Sequence, residues 1–169
     1  MLIDHLRPGL RVVIAGVAPA GPPQPHRRYY AGRGNAFWQL LHDSGLVPEL
    51  LGPEDDERLP EYGIGLTDLA KTVTPEPDGG TSTHYDVAGL DAKIRAVRPR
   101  AVAFVSKTAA QAYARGARLP LPHDWGVTPW DVAGSPGFVL PGPSGANNGM
   151  PLPLRIALWR DLADFLQTL

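Results

Sequence analysis

The chain has 169 residues, 43% of them hydrophobic and 20% charged, with a formal net charge of -1 and no cysteine. That length fits one domain spanning residues 1–169, able to bury about two-thirds of its unfolded surface. The missing cysteines exclude disulfides, thiolate catalysis, zinc–thiolate sites and cysteine-ligated iron–sulfur clusters, and the near-neutral charge excludes a global basic field for a polyanion.

Arg11 to Gly16 predicts a buried strand, β-branched and bounded by Gly9 and Gly16. The glycine- and proline-rich stretch after it is irregular. Asn35 is placed to cap a helix through Phe37, Trp38, Leu40 and Leu41 that stops near Gly45. Pro53 to Leu59 predicts a short acidic helix with Glu54 and Asp55 in its first turn. Ile64 to Leu66 predicts a short strand, followed by Thr67-Asp68-Leu69, and Pro75 to His84 a loop able to fold over a site. Asp86 or Asp91 starts a helix carrying Ile94 and Val97. Ala101 to Val105 is a second buried strand, and Ser106 caps a helix that ends at Gly116. Trp125 to Val132 and Gly137 to Leu140 read as later strands. Pro151 to Gln167 reads as an amphipathic helix with Ile156, Trp159, Leu162 and Phe165 or Leu166 on its apolar face. Strands alternating with helices predict an α/β fold, a three-layer α/β/α arrangement around a mainly parallel sheet.

Two small-residue loops stand out. Gly16-Val17-Ala18-Pro19-Ala20 follows Val12-Val13-Ile14, and Pro141-Gly142-Pro143-Ser144-Gly145 follows Phe138-Val139-Leu140. Loops at strand ends are how an open α/β sheet builds one crevice from distant segments, and small residues let a ligand reach the backbone N–H groups. His26-Arg27-Arg28-Tyr29-Tyr30-Ala31-Gly32-Arg33 interleaves basic and aromatic side chains, as phosphate contact and base stacking require; a solvated arginine loop is the other reading. The first loop lacks Gly-x-Gly-x-x-Gly and any following Gly-Lys-Ser/Thr, so dinucleotide and P-loop binding are not indicated. Gly142-Pro143-Ser144-Gly145-Ala146 is not a Gly-x-Ser-x-Gly elbow, and the histidines lack metal-ligand spacing. No apolar run approaches the ~20 residues of a membrane span, and Met1-Leu2-Ile3-Asp4 is not a signal peptide, so a cytoplasmic location with no membrane partner is expected.

Taken in order, Pro8-Gly9-Leu10-Arg11-Val12-Val13, Gly16-x-x-Pro19, Asn35-x-Phe37-Trp38, Gly65-x-Thr67, the helix start at Lys107 and Leu140-Pro-x-Pro-Ser-Gly145 span nearly the whole chain. This pattern resembles the uracil-DNA glycosylase superfamily, and its mismatch-specific branch in particular. The resemblance implies an enzyme that flips uracil out of DNA and hydrolyses its N-glycosidic bond, with no metal or organic cofactor and as a monomer. It implies substrate contacts from loop amides near Val17 and Ala20, with Ala18, Gly142 and Ser144 in the same two motifs. Tyr30 aligns with the aromatic that stacks on the flipped base. Lys107 is placed to grip a DNA phosphate, and Gly145, Ala146, Asn147 and Asn148 form the loop that enters the duplex.

Three departures from that branch stand out. Ala18 stands where an asparagine positions the hydrolytic water, although another branch carries a similar Ala-Pro-Ala motif. Gly142 replaces an asparagine or histidine. Ala146 and Asn148 replace a bulky wedge and a basic residue, which predicts dependence on already weak pairs and softer readout of the opposing base. Something else must then activate the water or steady the cation, and a carboxylate can do both. Most acidic residues, including the stretch Glu49 to Glu61, read as solvated. Asp68 differs because it follows a strand end in Gly65-Leu66-Thr67-Asp68-Leu69, at the edge where the other loops lie. It is the candidate catalytic carboxylate; a helix or turn cap is its other reading. Asp78, Asp86 and His84 are weaker candidates. No lysine falls in the two small-residue loops or in Gly65 to Leu69, so a Schiff-base lyase step is not expected. A non-catalytic protein binding damaged bases in DNA, or one binding a free nucleobase or nucleotide, are the alternatives.

Overall fold

The computed structural model describes residues 2–18, 27–70, 73–75, 81–83, 85–144 and 149–169. Among the described residues seven strands lie in chain order: β1 Val12–Gly16, β2 Ile64–Asp68, β3 Val73–Pro75, β4 Thr81–Thr83, β5 Ala101–Val105, β6 Gly126–Val132 and β7 Ser135–Leu140. Four α-helices accompany them: α1 Phe37–Asp43, α2 Val87–Val97, α3 Lys107–Ala117 and α4 Leu152–Gln167. The main sheet has the order β2-β1-β5-β7-β6. Its first four strands run parallel, and β6 closes the edge as the antiparallel arm of a hairpin with β7. Every residue of β1, β2 and β5 is buried, as strands covered on both faces must be.

Alternation along the strands sorts the core into two halves. Val12, Ile14, Ile64, Leu66, Val105, Phe138 and Leu140 join Phe37, Leu41, Trp159 and Leu162, so α1 and α4 cover one face. Val13, Ala15, Val102, Phe104 and Val139 join Leu90, Ile94, Ala110 and Tyr113 under α2 and α3. The result is the three-layer α/β/α arrangement expected from the sequence.

Several boundaries differ from that reading. β2 runs on through Thr67 and Asp68, because Asp68 pairs in register with Gly16 and Leu69 N–H donates to Gly16 O at 2.9 Å. Asp68 is therefore a sheet residue rather than a turn or helix cap. The acidic segment is a 3-10 helix, Pro53–Tyr62, longer than predicted. Within it Asp56 is 1% exposed, which corrects the solvated reading for that residue. α3 does not end at Gly116; it reaches Ala117, and Arg118 takes the left-handed turn at φ 58°. Gly116 serves packing instead, since a Cβ there would overlap the Val87 side chain of α2. Residues 73–75 and 81–83 pair as a small antiparallel hairpin where a plain loop was expected. At the other edge, His5 exchanges two 3.0 Å backbone hydrogen bonds with Leu66, adding the N-terminal segment to β2.

Candidate active site

The carboxyl ends of β1, β2, β5 and β7 lie along one edge of the sheet, where Gly16 and Asp68 end the first two and Ser106 and Pro141 follow the others. β1 sits between β2 and β5, and the chain winds outward from it in both directions, which is the usual place for a crevice in an open parallel sheet. The ladder continues past the strands, for Ala70 N–H donates to Val17 O at 2.9 Å. That bond ties the half-buried loop residues Val17 and Ala18 to the end of β2.

Strand parity decides which way each side chain faces. Asp68 shares parity with Ile64 and Leu66 and so faces the α1/α4 layer, whereas Thr67 faces the opposite one. Thr67 Oγ1 donates to Asp4 Oδ1 at 2.8 Å, and Lys93 Nζ of α2 lies 2.7 Å from Asp4 Oδ2. This polar cluster anchors the residue next to Asp68. Asp68 itself is 7% exposed. A Cβ built on Gly16 would lie 2.7 Å from Asp68 Oδ1 and 3.3 Å from the Tyr30 hydroxyl oxygen. The carboxylate thus lies directly against the glycine that opens the first loop.

Tyr30 reaches this point from a separate segment. Its backbone takes φ 51°, unusual for a residue with a Cβ, and its carbonyl accepts from Trp38 Nε1 at 3.3 Å. Its ring stacks on Phe37 with centroids 3.9 Å apart and 15° between planes, and Phe37 meets Trp159 edge-on at 5.8 Å. The hydroxyl end is fully enclosed. Burial first, and then the Asp68 charge, push the Tyr30 phenol well above its ordinary range. The preceding residue is locked by Asp56, which accepts from Tyr29 N–H at 3.1 Å, pairs with Arg28 Nη1 at 2.8 Å and lies 3.6 Å from His5 Nε2. Arg28, read from the sequence as part of a phosphate-contacting patch, is thus engaged by Asp56 and by Glu57 at 3.0 Å.

The second motif is fixed by its carbonyls. Trp159 Nε1 donates to Pro141 O at 3.0 Å, and Ala36 N–H donates to Pro143 O at 2.9 Å. Gly142 is half-buried and Ser144 exposed; a Cβ on Gly142 would meet Ser106 Cβ at 3.8 Å, so the β5 and β7 loops pass close together. Asn35 is not the cap expected of it: Ala36 is the N-cap of α1, without a side-chain cap bond, and Asn35 one residue earlier accepts from Phe37 N–H through Oδ1 at 3.0 Å, an Asx-turn contact.

The chain belongs to the uracil DNA glycosylase superfamily. The family model of that description matches residues 3–163, which includes every element of the main sheet and each of the loops just described. Its members are glycosylases of DNA repair that act on uracil-containing DNA, and the parallel sheet with helices on both faces is that superfamily's fold.

The remaining candidates fall as follows. Lys107 opens α3, and its ammonium stands 4.3 Å from the centroid of the Trp125 ring, a cation–π geometry. Asp86 caps α2 by accepting from Gly89 N–H at 2.9 Å, which gives it a structural role. Ala20, Gly145, Ala146, Asn147 and Asn148 lie outside the described residues, as do Asp78 and His84. Among the described residues no group of histidines and carboxylates is arranged to hold a metal ion, and no helix is long and apolar enough to cross a membrane.

Two contributors escaped the sequence reading. Ser106 was recognised as a cap, and its Oγ does accept from Ala109 N–H at 3.1 Å. Its backbone, however, sits at φ 133°, ψ 156°, a region that disfavours any side chain, and such outliers cluster at functional sites. Asp56 was hidden among exposed acids. No sequence signal marked it, because its contacts with Arg28 and Tyr29 are created only by the fold.

Proposed function

We propose that this protein is a monofunctional DNA glycosylase that flips uracil from DNA, from G:U mismatches above all, and hydrolyses its glycosidic bond with Asp68 as the catalytic carboxylate. The observation that carries the reading is the Asp68 carboxylate lying against Gly16 at the carboxyl edge of the sheet. Ala18 offers no group to hold water, so the carboxylate lying against Gly16 of the first motif inherits the task.

In this mechanism the C1′–N1 bond of the flipped nucleotide breaks with its electron pair passing to the base, leaving an oxocarbenium-like sugar. Asp68 faces that cation and takes a proton from the water that adds to C1′. Loop amides near Val17 donate to the departing anion, where fixed dipoles in an enclosed site act most strongly. The outer face of the Tyr30 ring stacks on the base, its inner face being taken by Phe37. Small side chains at Ala18 and Gly142 remove contacts to the base and sugar, which favours tolerance of other opposing bases and of single strands.

Base release from uracil-containing duplexes and single strands, measured with the parent protein and Asp68→Asn side by side, tests this. Release by the parent that falls by about 100-fold or more in Asp68→Asn, the scale of a lost acid–base group, with DNA binding kept, supports the assignment. Equal release by the two proteins overturns it. Silence from both with tight lesion binding favours the non-catalytic reading, in which small residues at 18 and 142 leave a protein that finds damaged bases without cutting them.

A further inference from the structure

Stacking on a base needs only a ring, and phenylalanine would supply it; the structure gives the oxygen of Tyr30 a separate setting. That hydroxyl is buried, and it is without a hydrogen-bond partner among the described residues. Buried hydroxyls in native folds are nearly always bonded, so this one marks a donor held for a group that arrives or turns towards it. The space it faces is shared. The Tyr30 oxygen and Asp68 Oδ1 both converge on the face of Gly16, at 3.3 and 2.7 Å from the place a Cβ would take. The left-handed backbone at Tyr30, the Phe37 stack beneath the ring and the Asp56 anchor on Tyr29 together hold the hydroxyl there.

We propose that the Tyr30 O–H is the hydrogen-bond donor that orients the Asp68 carboxylate when the site is at work, making Tyr30 a positioning residue as well as a platform. The inference rests on the reading of Asp68 as the catalytic carboxylate. A donor aimed at an anion favours the charged form, which is the form that faces the sugar cation and accepts the water proton. Burial first, and then the Asp68 charge, hold the phenol protonated, so Tyr30 remains a donor. Among the described residues the Tyr29 phenol also feels the Asp68 charge, and on the far side of Tyr29 stand Asp4 with its partner Lys93 and Asp56 with Arg28 and His5.

The test compares the parent, Tyr30→Phe and Asp68→Asn. Tyr30→Phe keeps the ring and its stack on Phe37 and removes one oxygen. Single-turnover release in Tyr30→Phe is expected to fall about 10- to 100-fold, what a hydrogen bond to a charged group is worth, with DNA affinity unchanged. The acidic limb of its pH–rate profile moves to higher pH, because the carboxylate has lost a donor that favoured its charged form. A second readout needs no activity: the 13C titration of the Asp68 carboxyl, followed by NMR, moves up in Tyr30→Phe. Parent-like release and an unmoved Asp68 titration in Tyr30→Phe overturn the proposal, even where Asp68→Asn is dead. Full activity in Asp68→Asn sinks the catalytic reading itself, while the carboxyl titration still decides whether Tyr30 orients Asp68.

Discussion

At the scale of single residues, Gly16 carries the tightest steric demand in the site. A methyl group there meets Asp68 Oδ1 at 2.7 Å and the Tyr30 oxygen at 3.3 Å, so Gly16→Ala must displace one or both. A shift of about 1 Å in a reacting group costs on the order of 100-fold in rate, whereas overpacking costs about 1–3 kcal/mol of stability. Gly16→Ala is therefore expected to fold, with base release reduced about 100-fold and DNA affinity little changed, as release assays beside equilibrium binding would report. Ser106 separates two roles in the same way. Ser106→Ala loses the cap on α3 and keeps the unfavourable φ of 133°, a loss of about 1 kcal/mol. Ser106→Gly gives up only a few tenths for the cap and removes strain of about 1–3 kcal/mol, so denaturant titration should show it stabilised. Opposite signs for the two substitutions are the expected outcome. The sequence pointed to Asp68 through its place after an apolar run. It was silent on Gly16 as a steric neighbour of Asp68, because that contact joins residues far apart in the chain.

At the scale of elements, the strands and helices with strong local patterns were legible. β1 and β5 are unbroken apolar runs, and α4 repeats Trp159, Leu162 and Leu166 at helical spacing on its buried face. The segment from Pro53 to Tyr62 was harder, since its charges read as solvated while its buried face rests on Asp56 and Leu59. Asp56 holds Arg28 and the Tyr29 N–H in place, and so positions the turn that presents Tyr30. Asp56→Ala should lower stability by about 1–3 kcal/mol through the unpaired Tyr29 N–H, with base release reduced as well because Tyr30 loses its anchor. Chemical denaturation and a single-turnover assay on the same preparation check both halves. Between α2 and α3, Gly116 faces Val87 with no room for a methyl. Alanine improves helix propensity by up to about 1 kcal/mol, but at this crossing overpacking of about 1–3 kcal/mol opposes it, and Gly116→Ala is expected to be neutral to destabilising in a thermal melt. Its rate of base release should stay at the parental level, as the contact lies on the face away from Asp68.

Across the whole molecule, the parallel sheet divides labour between its faces. Asp68, Tyr30 and the second motif stand on the α1/α4 side, while Thr67, Asp4 and Lys93 brace the same strand from the α2 side. With a net charge of -1, attraction to DNA must come from local cations, and its strength is read from salt. Binding to a uracil duplex should weaken with salt at a slope of about -0.9 per phosphate neutralised, measured by anisotropy from 50 to 200 mM salt, whereas binding of a free nucleobase would barely change.

Composition, loop chemistry and the order of the motifs were enough to determine the α/β class and the superfamily. Those depend on local preferences and on apolar runs that neighbouring residues spell out by themselves. The tertiary structure alone decided that Asp68 ends a strand rather than capping a turn, that its carboxylate lies on Gly16 beside the Tyr30 hydroxyl, and that Asp56 is a buried anchor. Each of those follows from strand register and from contacts between segments distant in the chain. Parity along β2 turns Asp68 towards α1 and Thr67 away from it, and a slip of one residue would exchange them.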